Sequence, residues 1–239
     1  MSFLGGIANA ISSGINAVCS LGSSICTGLY KVGTYLGGAI GRGLESLSKF
    51  IMRMPEIDII DVIEIISIIV SEIGEILGIS EDDSTEEIGF KSLQADKKPE
   101  DFDSIEQYIA YLEKEIELDK IKFKEMSQEQ KLTCNAIGSI IVAKGISENK
   151  GIEVGVDFLV EAAKQKMQPR EAEIYIDRFK ENNLELKLSD YLKCNLPLEE
   201  VRRIDPVVKG VIKELNPMFT EEEIDTKLDD MTNKSLENE

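Results

Sequence analysis

Ten of the chain's 18 glycines fall within its first 43 residues, and no charged side chain precedes Lys31. A segment so poor in charge cannot stand alone in water; it must lie against other helices or against lipid. Its apolar residues recur at Leu4, Ile7, Ile11, Ile15 and Val18, then at Ile25, Leu29, Val32, Leu36, Ile40, Leu44, Leu47 and Ile51. The mean step is close to the helical period of about 3.6. The spacing predicts helix, although each interior glycine costs roughly 1 kcal/mol against alanine, so such a helix needs a close neighbour. Its other face carries Ala8, Ser12, Asn16, Ser20, Ser23, Ser24 and Thr27, where a helix facing water normally places Lys and Glu.

Gly33, Gly37 and Gly41 follow at i, i+4 and i+8, the spacing of small residues that lets two helix backbones approach. These glycines, with Ile11, Ile15, Val18, Ile25, Leu29, Leu36 and Ile40, are the candidate helix-packing or membrane-contact residues. A bend at Gly37-Gly38 or Ser23-Ser24 would fold the segment into a hairpin. Residues 3–30 are long enough for a bilayer crossing of about 20 residues. Eight of them are Asn, Ser or Thr, however, which favours an interfacial or conditionally inserting segment over a permanent span.

Pro55 ends this stretch. Residues 56–78 are filled with Ile and Val, and Asp58, Asp61, Glu64, Glu72 and Glu75 form one stripe at helical spacing. This reads as a helix buried around most of its circumference, with acids that face solvent or pair with Lys31, Arg42, Lys49 and Arg53. Ionised acids cost about 2.5–3.5 kcal/mol each at a bilayer centre and protonated ones much less. The stripe therefore raises the expectation of a pH-sensitive insertion, beside the simpler one of a core helix with a solvated acidic edge.

The formal net charge is −18, with +3 over residues 1–53 and −21 over the remainder. An acidic body argues against nucleic acid, whose phosphates need Lys and Arg. The chain has no His, which removes Ser-His and Cys-His nucleophile pairs, His metal ligands and an imidazole switch. The run Gly37–Gly43 lacks the preceding strand and the Lys-Ser/Thr of a phosphate loop. The carboxylate pairs at Glu199-Glu200 and Glu221/Glu223 fall at helix starts, where the dipole favours them. No motif specifies a reaction, and no cofactor, metal or small-molecule substrate is expected.

Cys19, Cys26, Cys134 and Cys194 form no CxxC pair and read as free thiols, small buried hydrophobes in a reducing compartment. The start lacks the positive region and unbroken apolar run of a secretory signal, so export would need a non-classical route.

Residues 79–103 are acidic and without period, and read as a linker. Beyond them, punctuation predicts short helices. One runs from a capping box at Asp103/Glu106 to about Met126, and one from Ser127/Gln130 to Gly145. Others span 153–167 and Pro169 to Asn182-Asn183. Further ones start at Pro197, at Asp205-Pro206 and at Thr220/Glu223.

The expected fold is all-α: a glycine-rich N-terminal helical hairpin or three-helix unit followed by a compact bundle of short helices. The expected domains are an apolar segment at 1–80, an acidic linker at 81–102, an acidic helical domain at 103–232 and a disordered tail at 233–239. The expected function is that of a non-enzymatic, membrane-interacting protein of toxin-like or secretion-delivered type, cytoplasmic or peripheral to a membrane. Its partners would be lipid or partner helices, including further copies of itself. The alternative is a soluble scaffold that self-assembles through its glycine-rich helices.

Overall fold

The computed structural model describes residues 20–80 and 82–236. Ile11, Ile15, Val18 and Cys19 lie outside the described residues. Those described are helical with no strand, in agreement with the expected all-α class. The chain divides into two compact units, Met1–Asn149 and Lys150–Glu239.

The first unit is built from α1 (Leu21–Leu36), α2 (Gly38–Ile51), α3 (Glu56–Ile76), α4 (Thr85–Gln94), α5 (Ile105–Glu115), α6 (Lys120–Glu125) and α7 (Gln128–Lys150), whose last residue opens the second unit. Ser20 caps α1 by accepting from the Ser23 amide. The chain then turns at Gly37, with φ +64° and ψ −162°, a conformation open to glycine alone. Of the two bends weighed, Gly37-Gly38 is the one used. The 3.6-residue period is real on both arms. Ile25, Leu29, Val32 and Leu36 of α1, and Ile40, Leu44, Leu47 and Ile51 of α2, are all buried.

Helix α3 occupies the expected span and buries Ile59, Ile63, Ile66, Val70 and Ile73. Helix α7 is buried on most of its circumference from Leu132 to Ser147, which marks it as a core helix of this unit.

Several expectations are corrected. Residues 81–102 are not an open linker, because Thr85–Gln94 form α4. Ser84 and Glu87 make a capping box, and Glu86 and Glu87 complement the dipole of its first turn. The acids that suggested a linker are therefore helix-start residues, and behind them Ile88, Ser92 and Leu93 are buried. The expected helix from 104 to Met126 is broken by extended backbone at Ile116, and Asp119 caps a separate α6 by accepting from the Lys122 amide. The cap of α5 is Ser104, one residue past the expected Asp103.

Ser127 and Gln130 do cap α7 reciprocally, at 2.8 and 3.3 Å. That helix runs on through Gly145 to Lys150. Gly145 is a close-approach residue rather than a stop: a Cβ there would lie 2.8 Å from Ile79 Cγ2.

The second unit contains α8 (Val156–Gln165), α9 (Pro169–Glu181), α10 (Leu188–Leu192), α11 (Leu198–Leu215) and α12 (Glu221–Leu236). Pro169 opens α9, and Thr220 and Glu223 cap α12, as expected. Pro206 does not start a new helix. It sits on the exposed side of α11, and Ile204, Val208, Val211 and Ile212 hold the helix to the core on both sides of it. The tail expected from 233 is helical through Leu236, because Ser235 is buried and donates a hydrogen bond at 2.8 Å to Glu161. Short α10, absent from the expected helices, buries Leu188, Tyr191 and Leu192.

Candidate functional site

The glycine spacing singled out above forms the inner seam of the α1–α2 hairpin. A Cβ at Gly33 would lie 3.0 Å from the Gly41 carbonyl oxygen, and one at Gly41 would lie 2.5 Å from the Gly33 oxygen. Gly37 is the turn between the arms and does not share their contact face. Cys26 and Ser48 add a reciprocal pair across the same seam: Cys26 Sγ donates to the Ser48 carbonyl at 3.2 Å, and Ser48 Oγ donates to the Cys26 carbonyl at 3.4 Å. The structure thus brings together Gly33, Gly41, Ile25, Leu29, Leu36 and Ile40, but inside one chain, with the four apolar side chains at most 2% exposed.

The acidic stripe of α3 lies outward. Asp61, Glu64, Glu72 and Glu75 are exposed and Asp58 is half-buried. Among the described residues no helix is long and apolar enough to cross a membrane.

A cluster that the sequence did not announce lies between the turn after α3, the last turn of α4 and α5. Lys91 is 5% exposed and pairs with Asp83 at 2.5 Å, while its Nζ also donates to the Glu113 carbonyl at 3.3 Å. Glu113 Oε1 accepts from Ser80 Oγ at 3.0 Å, which ties the turn after α3 to α5. Beside this network is a cleft of about 340 Å³ lined by Ser71, Glu75, Asp82, Ser84 and Val142 among others. The hydroxyl–carboxylate contact has no imidazole to relay a proton, and no group of acids or thiols among the described residues could hold a metal ion. In chemical terms the network is a buried ion pair that fixes a turn.

Burial pushes the Asp83 carboxyl up, against the opposing pull of Lys91. A folded pKa above the unfolded one means that ionised Asp83 weighs against folding, increasingly as pH rises through the folded pKa. Replacing Lys91 with methionine removes the pull and leaves that carboxylate unpaired. The variant should lose about 2 kcal/mol at pH 7, discounted for the partial exposure of Asp83. The loss should shrink as pH falls and Asp83 takes up its proton. Urea unfolding at pH 7 and pH 4 checks both the size and the sign.

The thiols are only partly as expected. Cys26 and Cys134 are buried and free, and burial pushes both thiols up and away from reactivity. Cys194 is exposed, in a left-handed turn with φ +57°.

The second unit encloses an ionisable group of its own. Glu161 on α8 is 1% exposed and, among the described residues, has no basic partner within hydrogen-bonding distance. Its oxygens accept from Gln165 Nε2 at 2.8 Å, Ser189 Oγ at 3.3 Å and Ser235 Oγ at 2.8 Å, so one carboxylate joins α8, α10 and α12. One sign in the sequence could have marked it: an acid at 161 among the buried residues Phe158, Val160 and Ala162. When compared with protein-family models, curated proteins and solved structures, the chain matches none of them.

Proposed function

We propose that the chain is a non-enzymatic, membrane-interacting helical protein of toxin-like or delivered-effector type. In it the uncharged segment ahead of α1 makes the lipid contact and the helical body carries it. The observation that supports this most is the division of labour within the leading 53 residues. Gly33, Gly37 and Gly41 and the Leu/Ile stripe from Ile25 onward are taken up by the chain's own hairpin. The stripe Leu4, Ile7, Ile11, Ile15 and Val18, with no charged side chain among them and Asn and Ser between them, leaves an apolar line for the lipid contact. The basic excess of the same 53 residues has the sign that anionic lipid attracts.

The test is co-flotation of the full chain with phosphatidylserine-containing vesicles at pH 7.5 and pH 5, with dye leakage read in parallel. The full chain should float. The triple variant Ile7→Glu, Ile11→Glu, Ile15→Glu should remain at the bottom of the gradient. Failure of the unaltered chain to float at either pH, or equal flotation of both proteins, would replace this reading with the second one. That second reading is a soluble scaffold that self-assembles through its glycine-rich helices, for which the seam now closed inside one chain would have to open to a second copy.

A further inference from the structure

We infer that the chain associates with a second copy of itself by seating the basic outer line of its α2 on the acidic outer face of the partner's α3. This contact does not rest on the membrane reading, and it uses neither the glycine seam nor any residue ahead of α1.

Arg42 and Lys49 are seven residues apart on α2, and Arg53 lies four further on in the turn that continues it. Steps of 7 and 11 residues return to nearly the same side of a helix, so the three cations form one line about 16 Å long. All three are exposed. On α3, Asp61 and Glu72 are also 11 residues apart, as are Glu64 and Glu75, and all four are exposed. They form two acidic lines of the same length, with Ile68, 56% exposed, between them. The register matches with the helices antiparallel: Arg53 opposite Asp61, Lys49 opposite Glu64, and Arg42 opposite Glu72.

None of these seven side chains makes an ion pair with another described residue. Some of the chain's other cations hold carboxylates, as Lys91, Lys150, Arg178, Lys187 and Lys209 do, and others, such as Arg202 and Arg203, hold none among the described residues. What sets the α2 cations apart is their alignment in one line. The α2 line is basic and unpaired within an acidic protein, and the matching acidic lines are unpaired on the next helix. Each copy offers both, so the contact can close on itself as a symmetric pair. Exposed Ile68 and Met52 supply the apolar contact that charge alone lacks.

The experiment is the weight-average mass of the full chain by sedimentation equilibrium at 50 mM and 500 mM salt. Exposed ion pairs are screened by salt, so association should be evident at 50 mM and at least about tenfold weaker at 500 mM. The variant Arg42→Glu, Lys49→Glu, Arg53→Glu should be monomeric at both. So should the variant Asp61→Lys, Glu64→Lys, Glu72→Lys, Glu75→Lys. Mixed in equal amounts, the two should associate again, because each then offers what the other needs; this rescue also shows that both are folded. The milder Arg42→Ala, Lys49→Ala should weaken association several-fold, as expected for the loss of two exposed ion pairs. A monomeric unaltered chain at 50 mM salt, variants that associate as it does, or a mixture that stays monomeric would each overturn the inference.

Discussion

Replacing Gly138 with alanine should lower the stability of the first unit by about 3 kcal/mol or more, at the upper end of what overpacking costs. Helices α4 and α7 cross there with backbone on backbone. A Cβ at Gly138 would fall on the Thr85 carbonyl, whose carbon would be 2.6 Å away, and one at Gly89 would fall on the Cys134 carbonyl, at 2.7 Å from its carbon. No flexible side chain lies between them to move aside, so the helices must separate. Separation also breaks the chain of hydroxyls that spans the crossing. Ser67 Oγ and Thr85 Oγ1 are 2.6 Å apart, and Thr85 Oγ1 donates to Asn135 Oδ1 at 2.6 Å. Alanine would return up to about 1 kcal/mol through its higher helix propensity, which is too little to reverse the sign.

In a thermal melt the transition of the first unit should fall by about 10 °C. Gly210→Ala in α11 is the control, since nothing lies within 4 Å of a Cβ there. It should raise stability by up to about 1 kcal/mol. Equal melting of the two variants would mean that the α4–α7 crossing is wider than the geometry above.

The same crossing shows where the sequence was legible. The hairpin could be read because its glycines repeat at a fixed interval within one charge-poor stretch, and because the Ile/Leu stripe continues through both arms. What the interval could not reveal is which glycine does which work. Gly33 and Gly41 face each other across the seam, whereas Gly37, equally spaced, supplies the turn that makes the facing possible. Gly89 and Gly138 repeat nothing. Gly89 is the one glycine of α4 and Gly138 lies seven residues from Gly145 on α7, so neither falls in an i+4 series, and their meaning depends on a contact between residues 49 apart in the chain. Lys91 was hidden for a similar reason: a lysine three residues before Gln94 in an acid-rich stretch reads as surface, and only the placing of Asp83 and Glu113 around it makes its burial tolerable. Pro206 erred the other way. A proline after an aspartate signals a helix start, but apolar residues on both sides fasten α11 across it.

Glu161→Leu should cost the second unit about 3 kcal/mol, and the reason lies in what the carboxylate leaves behind. Leucine matches the apolar surroundings of α8 and fills much of the space, so the loss is not one of packing. It removes the acceptor for three donors on three helices: half-buried Gln165 of α8 and buried Ser189 of α10 and Ser235 of α12. Hydrogen bonds to a charged group contribute about 1.5–3 kcal/mol each, and an unsatisfied buried donor costs about 1–3 kcal/mol. Gln165 retains the Met231 carbonyl at 2.8 Å, so the two serines bear most of the penalty. Glu161→Gln keeps one acceptor oxygen and the same shape, and should cost about 1 kcal/mol. That ordering separates a lost acceptor from a lost volume. The position of Ser235 adds a second, local readout. It is fully buried one residue before the end of α12, and its bond to Glu161 runs from the last turn of that helix into the core. Amide hydrogen exchange at the C-terminal end of α12 should therefore quicken in Glu161→Leu and in Ser235→Ala well before the global transition of either variant. Unaltered exchange in both would show that Ile224 and Met231, buried on the same helix, suffice to hold it, and that the carboxylate orders only α8 and α10.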